Sequence, residues 1–206
     1  ELDLIHPDPK FRNKAIDYIK YCIRSANEMN CGLTHMCFLS FEDNLNSPEE
    51  KKRDELAVKA IKKCISYARD YGVRLLIEPL YKGDISIINR ADQAIKYLSQ
   101  ALNVDREIII HEHEKLGTGL LLDLYHMCNE ENDVLSTIRT FNNLTYHYHV
   151  ADHYRKLEFT GEESNFVKES LSLLKDLDYE YIISFESFDS SVTLSTLDRA
   201  LKIVKK

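Results

Sequence analysis

Apolar residues along the chain follow two alternating spacings, one typical of helices and the other of short buried strands. Between residues 11 and 29 they recur at steps of three and four positions, which is the period of a helix with one buried stripe. Gly32 stands where this helix would end, because glycine readily adopts the left-handed conformation of a helix C-terminus. The apolar run that follows predicts a buried strand over residues 33–39.

The same alternation continues through the rest of the chain. Ser47 and Pro48 indicate the start of the next helix, a capping side chain followed by proline in the first turn, and Gly72 indicates its end. In chain order, the further predicted elements are a helix over 47–71, a strand over 73–77, a helix over 89–102, a strand over 119–123, a helix over 131–141, a strand over 146–150, a helix over 166–177, a strand over 181–185 and a helix over 194–204. Residues 103–118 predict an exposed loop or hairpin, in which His111 and His113 are not interpreted as a metal-binding pair.

Five predicted strands, each followed by a helix, indicate an α/β fold with a parallel sheet covered by helices. No repeat or low-complexity linker interrupts the pattern, so we expect residues 1–206 to form a single domain, a partial (β/α)8 TIM barrel. A complete barrel takes about 250 residues, and the pattern therefore predicts about five to six βα units and a shortfall on the N-terminal side. The rival fold is an open doubly wound sheet, but no GxGxxG turn favours it.

An incomplete barrel would leave the strand predicted over residues 33–39 at the edge of the sheet. Such an edge has unpaired backbone groups and an apolar flank. We expect either a further segment of the polypeptide or a second copy of the chain to cover it, and hence a homo-oligomer, as a dimer or tetramer.

Charged residues fall at the ends of four consecutive predicted strands, namely Glu78, Asp123, His149 and Glu186. In a parallel barrel these strand ends open on one face, where the active site lies. Converging carboxylates repel each other unless a cation or shared protons neutralise them. A donor set of three carboxylates and one imidazole suits Mn²⁺, Mg²⁺ or Co²⁺ better than a metal that prefers thiolates. The pattern therefore predicts a metal site on this face.

A second layer of polar residues lies just beyond these strand ends. The residues in question are Asp84, His126 and Arg155. Each stands in a loop where it could hold a hydroxyl group of a substrate. For Asp84 and Arg155, spacing alone favours a plainer interpretation, which for Arg155 is a surface ion pair with Glu158 or Asp152.

Composition narrows the range of partners. The net charge of −7 argues against nucleic acid, since phosphate binding requires a basic face. No stretch approaches the roughly 18 apolar residues of a membrane span, and the first residues lack the pattern of a secretory leader. The five cysteines include no CxxC pair, which is typical of reduced thiols in a cytosolic protein. We therefore expect a cytoplasmic protein that binds a small polar molecule, with neither nucleic acid nor membrane as a partner.

Four segments resemble motifs of a known family. Residues 78–94, which begin Glu-Pro-Leu-Tyr-Lys-Gly-Asp, resemble an EPLNRxE…LNTAEQA segment, and residues 121–127, Leu-Leu-Asp-Leu-Tyr-His-Met, closely match an LLDTYHMN motif. Residues 149–155 are similar to HxxDxxR, and residues 185–188 to a final E-x-F. Over nearly its whole length the chain resembles the ketose 3-epimerases of the D-tagatose and D-psicose type, within the xylose isomerase-like barrel superfamily.

The resemblance implies a role for each polar residue at the strand ends. Glu78, Asp123, His149 and Glu186 would bind a divalent metal, Mn²⁺ in the first place with Mg²⁺ or Co²⁺ as alternatives. Glu78 and Glu186 would also be the catalytic acid–base pair of an isomerase. The residues implied to hold the sugar are Asp84, His126 and Arg155.

Three departures from the family pattern accompany these matches. Asp84 stands where the family has the longer glutamate, Ser187 replaces a proline, and the connection over residues 103–118 is longer. The family's first two strands and most of its third have no counterpart in this sequence.

The implied chemistry is proton transfer next to a ketone through an enediolate. Returning the proton to the same carbon from the opposite face inverts that carbon, whereas returning it to the adjacent carbon interconverts aldose and ketose. The sequence leaves this choice open, together with the sugar and the metal. Two other functions remain as alternatives. One is a non-catalytic barrel fragment that serves as a scaffold or binding module. The other is an abasic-site endonuclease of the same superfamily, which the acidic charge and the lack of an Asp-x-His pair after His149 disfavour.

Overall fold

The computed structural model describes residues 2–39, 50–84, 86–189 and 192–204, and the side chains of Glu50, Asp84, Glu163 and Val204 lie outside this description. In chain order, the elements are α1 (Pro9–Glu28), β1 (Leu33–Met36), α2 (Glu50–Asp70), β2 (Arg74–Ile77), α3 (Ala91–Leu102), α4 (Arg106–Leu116), β3 (Thr118–Asp123), α5 (Leu124–Glu130), α6 (Val134–Phe141), β4 (Thr145–Val150), α7 (Asn165–Asp176), β5 (Ile182–Phe185) and α8 (Leu194–Val204). The helix start predicted at Ser47 and Pro48 falls outside the described residues.

The strands form a sheet in the order β1-β2-β3-β4-β5, and the registered pairs β1–β2, β2–β3 and β4–β5 are all parallel. This confirms the α/β fold with a parallel sheet and the predicted position of each strand to within a few residues. β1 is shorter than predicted, because it ends at Met36, and Leu39 forms only an isolated antiparallel bridge with Ser86. β1 and β5 stand at the two ends of the strand order.

Two compact units, Glu1–Leu120 and Leu121–Lys206, divide the chain, and their boundary falls inside β3. That residues 1–206 form one domain stays a prediction. None of the helices in the described part of the chain combines the length and the apolar character needed to cross a membrane.

In the first unit α1 packs against β1, α2 packs against β2, and α3 packs against α2. Asp8 caps α1 by accepting a hydrogen bond from the main-chain N–H of Lys10 at 2.8 Å, and Pro9 occupies the first turn. The residue that leaves α1 in a left-handed conformation is Asn30 (φ 54°), not the predicted Gly32. β2 contributes three fully buried apolar side chains in a row, which is typical of a strand covered on both faces.

In the second unit α5 packs against β4, and α6 packs against α5 and α7. Tyr148 on β4 is fully buried, and its ring meets that of Tyr179 edge to face at a centroid distance of 5.1 Å. Desolvation raises the pKa of the Tyr148 hydroxyl, so this side chain is neutral at physiological pH. The aromatic contact fixes the segment before β5 against β4.

The prediction of an exposed loop or hairpin over residues 103–118 is wrong. α4 occupies Arg106–Leu116, and it buries Ile109 and His113 on one face while His111 stays exposed on another. The backbone between the two histidines departs from helical geometry at Glu112, and only His113 is buried, so the two side chains do not share an environment. Burial lowers the pKa of His113, which favours its neutral form. Only two residues of α4 are buried, and several of the others are charged. The spacing of apolar residues in the sequence therefore did not predict this helix.

Gly117 ends α4 in a left-handed conformation, and we expect Gly117→Ala to destabilise the protein by about 1–2 kcal/mol. A Cβ atom there would lie 3.2 Å from Cγ of Arg69, whose Nε donates to the carbonyl of Leu116 at 2.8 Å. Gly72→Ala should cost about 1 kcal/mol from backbone strain alone, because its φ is also +64° but no atom lies within 4 Å. Thermal unfolding monitored by circular dichroism measures both changes.

Gly32→Ala is the matched control for these variants. Its added Cβ would meet no atom within 4 Å, and Gly32 does not have a left-handed φ. Its melting temperature should stay at the wild-type value. Equal melting temperatures for all three variants would contradict the strain assigned to Gly117 and Gly72.

Candidate metal centre

Glu78 directly follows β2 and is 4% exposed. Its main-chain N–H donates to the carbonyl of Met36 at 3.0 Å, which extends the pairing of β1 with β2 by one residue. Its Oε2 lies 3.4 Å from Nε2 of His35 on β1, whose side chain is 44% exposed. The carboxylate is therefore fixed at the C-terminal end of its strand beside an imidazole that the sequence did not single out.

Asp123 is the last residue of β3 and also caps α5, which begins at the next position. Its Oδ1 accepts a hydrogen bond from the main-chain N–H of Tyr125 at 2.9 Å. Its Oδ2 lies 3.7 Å from Nε2 of His126 and 3.7 Å from Nη2 of Arg155. Oδ1 of Asp123 thus caps α5, while Oδ2 faces His126 and Arg155.

His149 and Glu186 reach the same edge of the sheet because β4 and β5 pair in parallel. Val150 is in register with Phe185, and the main-chain N–H of Glu186 donates to the carbonyl of Val150 at 3.3 Å. Nδ1 of His149 lies 3.5 Å from Oε2 of Glu186. The register of these two strands therefore sets the distance between imidazole and carboxylate.

The charges around Glu186 keep it ionised. The hydrogen bond with His149 has the largest effect, and with Asp123 and the positive charges of His149 and Arg155 it lowers the pKa of Glu186 to about 2, although partial burial acts in the opposite direction. At neutral pH this side chain is a carboxylate, which is the form that binds a metal or accepts a proton.

Within the second unit, Asp123, His149 and Glu186 could hold one metal ion together, because a ligand atom of each lies within 4.8 Å of the others. With Glu78, which stays a predicted ligand, the donor set would comprise three carboxylates and one imidazole. Ligands bound to one divalent ion at about 2.0–2.6 Å stand no more than about 5 Å apart, so this spacing is compatible with a single ion. Three carboxylates with one imidazole form an oxygen-rich donor set, which fits Mn²⁺ or Mg²⁺. The residues therefore fit the group that the sequence implied.

His126 and Arg155 lie in the same cluster. Arg155 donates from Nη1 to Oε2 of Glu186 at 3.0 Å, and its Nη2 lies 2.7 Å from Nε2 of His126. A guanidinium group can only donate, so Nε2 of His126 is the acceptor in this pair. The alternative interpretation of Arg155 as a surface ion pair with Glu158 or Asp152 is wrong, because its side chain is only 13% exposed and its ion pairs are with Glu186 and Asp123. The side chain of Asp84 lies outside the described part of the structure.

Sequence reasoning missed three other side chains of this cluster. The rings of Tyr125 and Phe188 both lie against the guanidinium of Arg155. His147 precedes His149 by two residues on β4, and its Nε2 lies 2.7 Å from Oγ of Ser184. The alternation of side chains along a strand could have placed His147 on the same face as His149. No local signal could have placed two aromatic rings on either side of Arg155.

Two curated proteins with sequences similar to this chain are named as 3-epimerases. The chain is 28% identical over 146 residues to a ketose 3-epimerase of Arthrobacter globiformis, an alignment that covers 70% of this chain and 45% of that protein. It is 23% identical over 154 residues to an L-ribulose 3-epimerase of Methylomonas sp. (strain DH-1), covering 75% of this chain and 49% of that protein. The chain thus spans about half the length of the curated relatives that it matches.

Solved structures support the same fold. A D-psicose 3-epimerase from Clostridium cellulolyticum H10, crystallised with D-tagatose, superposes with a TM-score of 0.76 at 20% identity, covering 99% of this chain and 74% of that chain. The sequence model of the xylose isomerase-like TIM barrel matches residues 1–206, which is the whole chain. This protein therefore belongs to the xylose isomerase-like TIM barrel family.

Proposed function

We propose that this protein is a divalent-metal-dependent isomerase that epimerises or isomerises a ketose or a related small sugar. The observation that carries the proposal is that Asp123, His149 and Glu186 offer ligand atoms within 4.8 Å of one another. Glu78 directly follows another strand of the same parallel sheet, which supports it as the fourth ligand. The names of the two curated relatives, a ketose 3-epimerase and an L-ribulose 3-epimerase, support a sugar as the substrate class.

Glu78, Asp123, His149 and Glu186 would hold the metal, Mn²⁺ in the first place and Mg²⁺ or Co²⁺ otherwise. A divalent ion bound there would stabilise the negative charge that develops on sugar oxygens when a proton leaves the neighbouring carbon. The donor set supports a hard or borderline cation, because carboxylate oxygens outnumber nitrogens and no thiolate belongs to the group.

Glu78 and Glu186 would exchange the proton. One carboxylate takes it from the carbon next to the carbonyl group, and the other supplies a proton from the opposite face. The low pKa of Glu186 supports its role as the ionised partner at the start of the reaction. The buried position of Glu78, at 4% exposure, supports a group that exchanges its proton with substrate and not with bulk water.

His126, Arg155 and Asp84 would hold the sugar hydroxyl groups. The contacts that support this role are those of Arg155 with Asp123, Glu186 and His126, because they fix both side chains beside the proposed ligands. For Asp84 the support is its position in the segment that resembles the ketose 3-epimerases.

We expect Asp123→Asn to weaken Mn²⁺ binding by at least about 100-fold, since even contacts outside the ligand set are worth about 10–100-fold in metal affinity. The amide oxygen of asparagine can still accept the hydrogen bond from Tyr125, so α5 keeps its cap and the variant should fold. Isothermal titration of the full chain with MnCl₂ measures the affinity.

The matched control is Asp176→Asn, because Asp176 is an exposed aspartate at the end of α7. Its Mn²⁺ affinity should equal that of the wild type. Equal affinities for Asp123→Asn and the wild type would remove Asp123 from the proposed ligand set.

Glu186→Gln should lower ketose turnover by about 10²–10⁴-fold, because it removes an acid–base group while keeping the volume of the side chain. Products from a panel of ketoses are separated by chromatography, which also distinguishes an epimeric ketose from an aldose. The control is Glu158→Gln, because Glu158 is an exposed glutamate in the loop that follows β4. This variant should retain full turnover.

Circular dichroism and Mn²⁺ content separate loss of chemistry from loss of fold or of metal. Turnover at the wild-type rate in folded Glu186→Gln would disprove the acid–base role of Glu186. A wild-type chain that binds Mn²⁺ but converts none of the ketoses would instead favour a non-catalytic binding module.

A further inference from the structure

The guanidinium of Arg155 lies between two aromatic rings. Its Cζ is 4.4 Å from the ring centroid of Tyr125 and 4.4 Å from that of Phe188. Cations within about 6 Å of a ring centroid are attracted to the electron-rich face of the ring. Phe188 makes this contact although 77% of the residue is exposed, so hydrophobic burial does not explain its position.

The main chain of Arg155 is held as firmly as its side chain. Arg155 has a left-handed conformation (φ 55°), which is unfavourable for a side chain with a Cβ atom. The turn that imposes it is closed by Asp152, whose carbonyl accepts from the N–H of Arg155 at 2.9 Å. The buried carboxylate of Asp152 also accepts from the N–H groups of Tyr154 and Lys156, both at 2.8 Å.

Ser187 joins this turn to the segment that carries Glu186. Its hydroxyl donates to the carbonyl of Arg155 at 2.7 Å and accepts from the N–H of Asp189 at 3.1 Å. This is the position at which the chain departs from the ketose 3-epimerase pattern, where a proline stands. Proline has no hydroxyl group, so this tie between the two segments depends on the serine.

We infer that Tyr125, Ser187 and Phe188 are positioning residues, which hold the Arg155 guanidinium in one orientation against Glu186 and His126. The two rings restrict the guanidinium plane, and the Ser187 hydroxyl restricts the main chain from which the side chain extends. Nη1 is thereby kept 3.0 Å from Oε2 of Glu186, and this contact limits the directions in which the carboxylate can point. We call the contacts of Tyr125, Phe188 and Ser187 with Arg155 the Arg155 clamp. The effect of this clamp on turnover rests on the proposed function, whereas the existence of the clamp does not.

The clamp can be tested without metal or substrate, because the chain contains no tryptophan. Phe188→Trp introduces a single indole that can stack on the guanidinium as phenylalanine does. We expect Arg155→Met, added to this variant, to raise the acrylamide quenching constant of the indole about twofold or more. Arg155→Lys, which keeps the charge but not the planar group, should also raise it.

The matched reporter is Tyr154→Trp, in the same turn and 62% exposed, with its ring against His153 and not against Arg155. Its quenching constant should not change when Arg155→Met is added. Equal quenching of the Phe188→Trp indole with and without Arg155, in chains whose circular dichroism is native, would overturn the clamp.

The effect on turnover is tested by a double-mutant cycle. Phe188→Leu should lower kcat about tenfold or more, since a misplacement of about 1 Å near the chemistry costs about 10²-fold. Phe188→Tyr should restore most of the loss, and Ser187→Ala should lower kcat by a smaller factor. In the Arg155→Met background, Phe188→Leu should cause no further loss, because Phe188 acts through Arg155.

If the kcat losses of Phe188→Leu and Arg155→Met multiply in the double variant, Phe188 acts independently of Arg155. That result would overturn the positioning role of Phe188. If the wild-type chain converts no ketose at all, the proposed function fails, and the quenching experiment alone decides whether the clamp exists.

Discussion

Carboxylates brought together at one edge of a sheet repel each other, and the side chains around Asp123 and Glu186 are arranged to offset that repulsion. Arg155 contributes the permanent positive charge, with Nη1 on Glu186 and Nη2 at 3.7 Å from Asp123. Nδ1 of His149 lies 3.5 Å from Oε2 of the same Glu186 carboxylate. A cation bound by the same carboxylates would act in the same direction, so the protein places donors and counter-charges around one point.

The supports for these atoms come from the backbone. The parallel register of β4 and β5 sets the approach of His149 to Glu186, and the cap of α5 fixes one oxygen of Asp123. Hydrogen bonds of this kind are stronger when the acceptor is ionised, which suits a carboxylate that must stay charged. Side chains at the ends of strands are more precisely held than side chains on long loops, because the strand itself cannot move without breaking its pairing.

The sequence predicted the strands and the polar side chains at their ends because both depend on local rules. Buried strands are continuous apolar runs, and Glu78, Asp123, His149 and Glu186 each end or closely follow such a run. α4 was missed because only Ile109 and His113 mark its buried face among charged residues. The contacts of Tyr125 and Phe188 with Arg155 join residues about 30 positions apart on either side, and no periodic pattern reports such a contact. Asp84 was assigned by resemblance alone, and its role remains a proposal.

The junction of β3 with α5 has a consequence for how the protein can vary. α5 begins at the residue after Asp123, so the helix itself sets the offset of three residues between Asp123 and His126. An inserted or deleted residue there would rotate His126 by about 100° around the helix axis and remove it from the cluster. Beyond the turn that holds Arg155, the segment up to Gly161 contains neither helix nor strand, and length changes are tolerated in such loops. Relatives with altered substrate preference should therefore differ in length after β4 while keeping the β3–α5 junction without a single added residue.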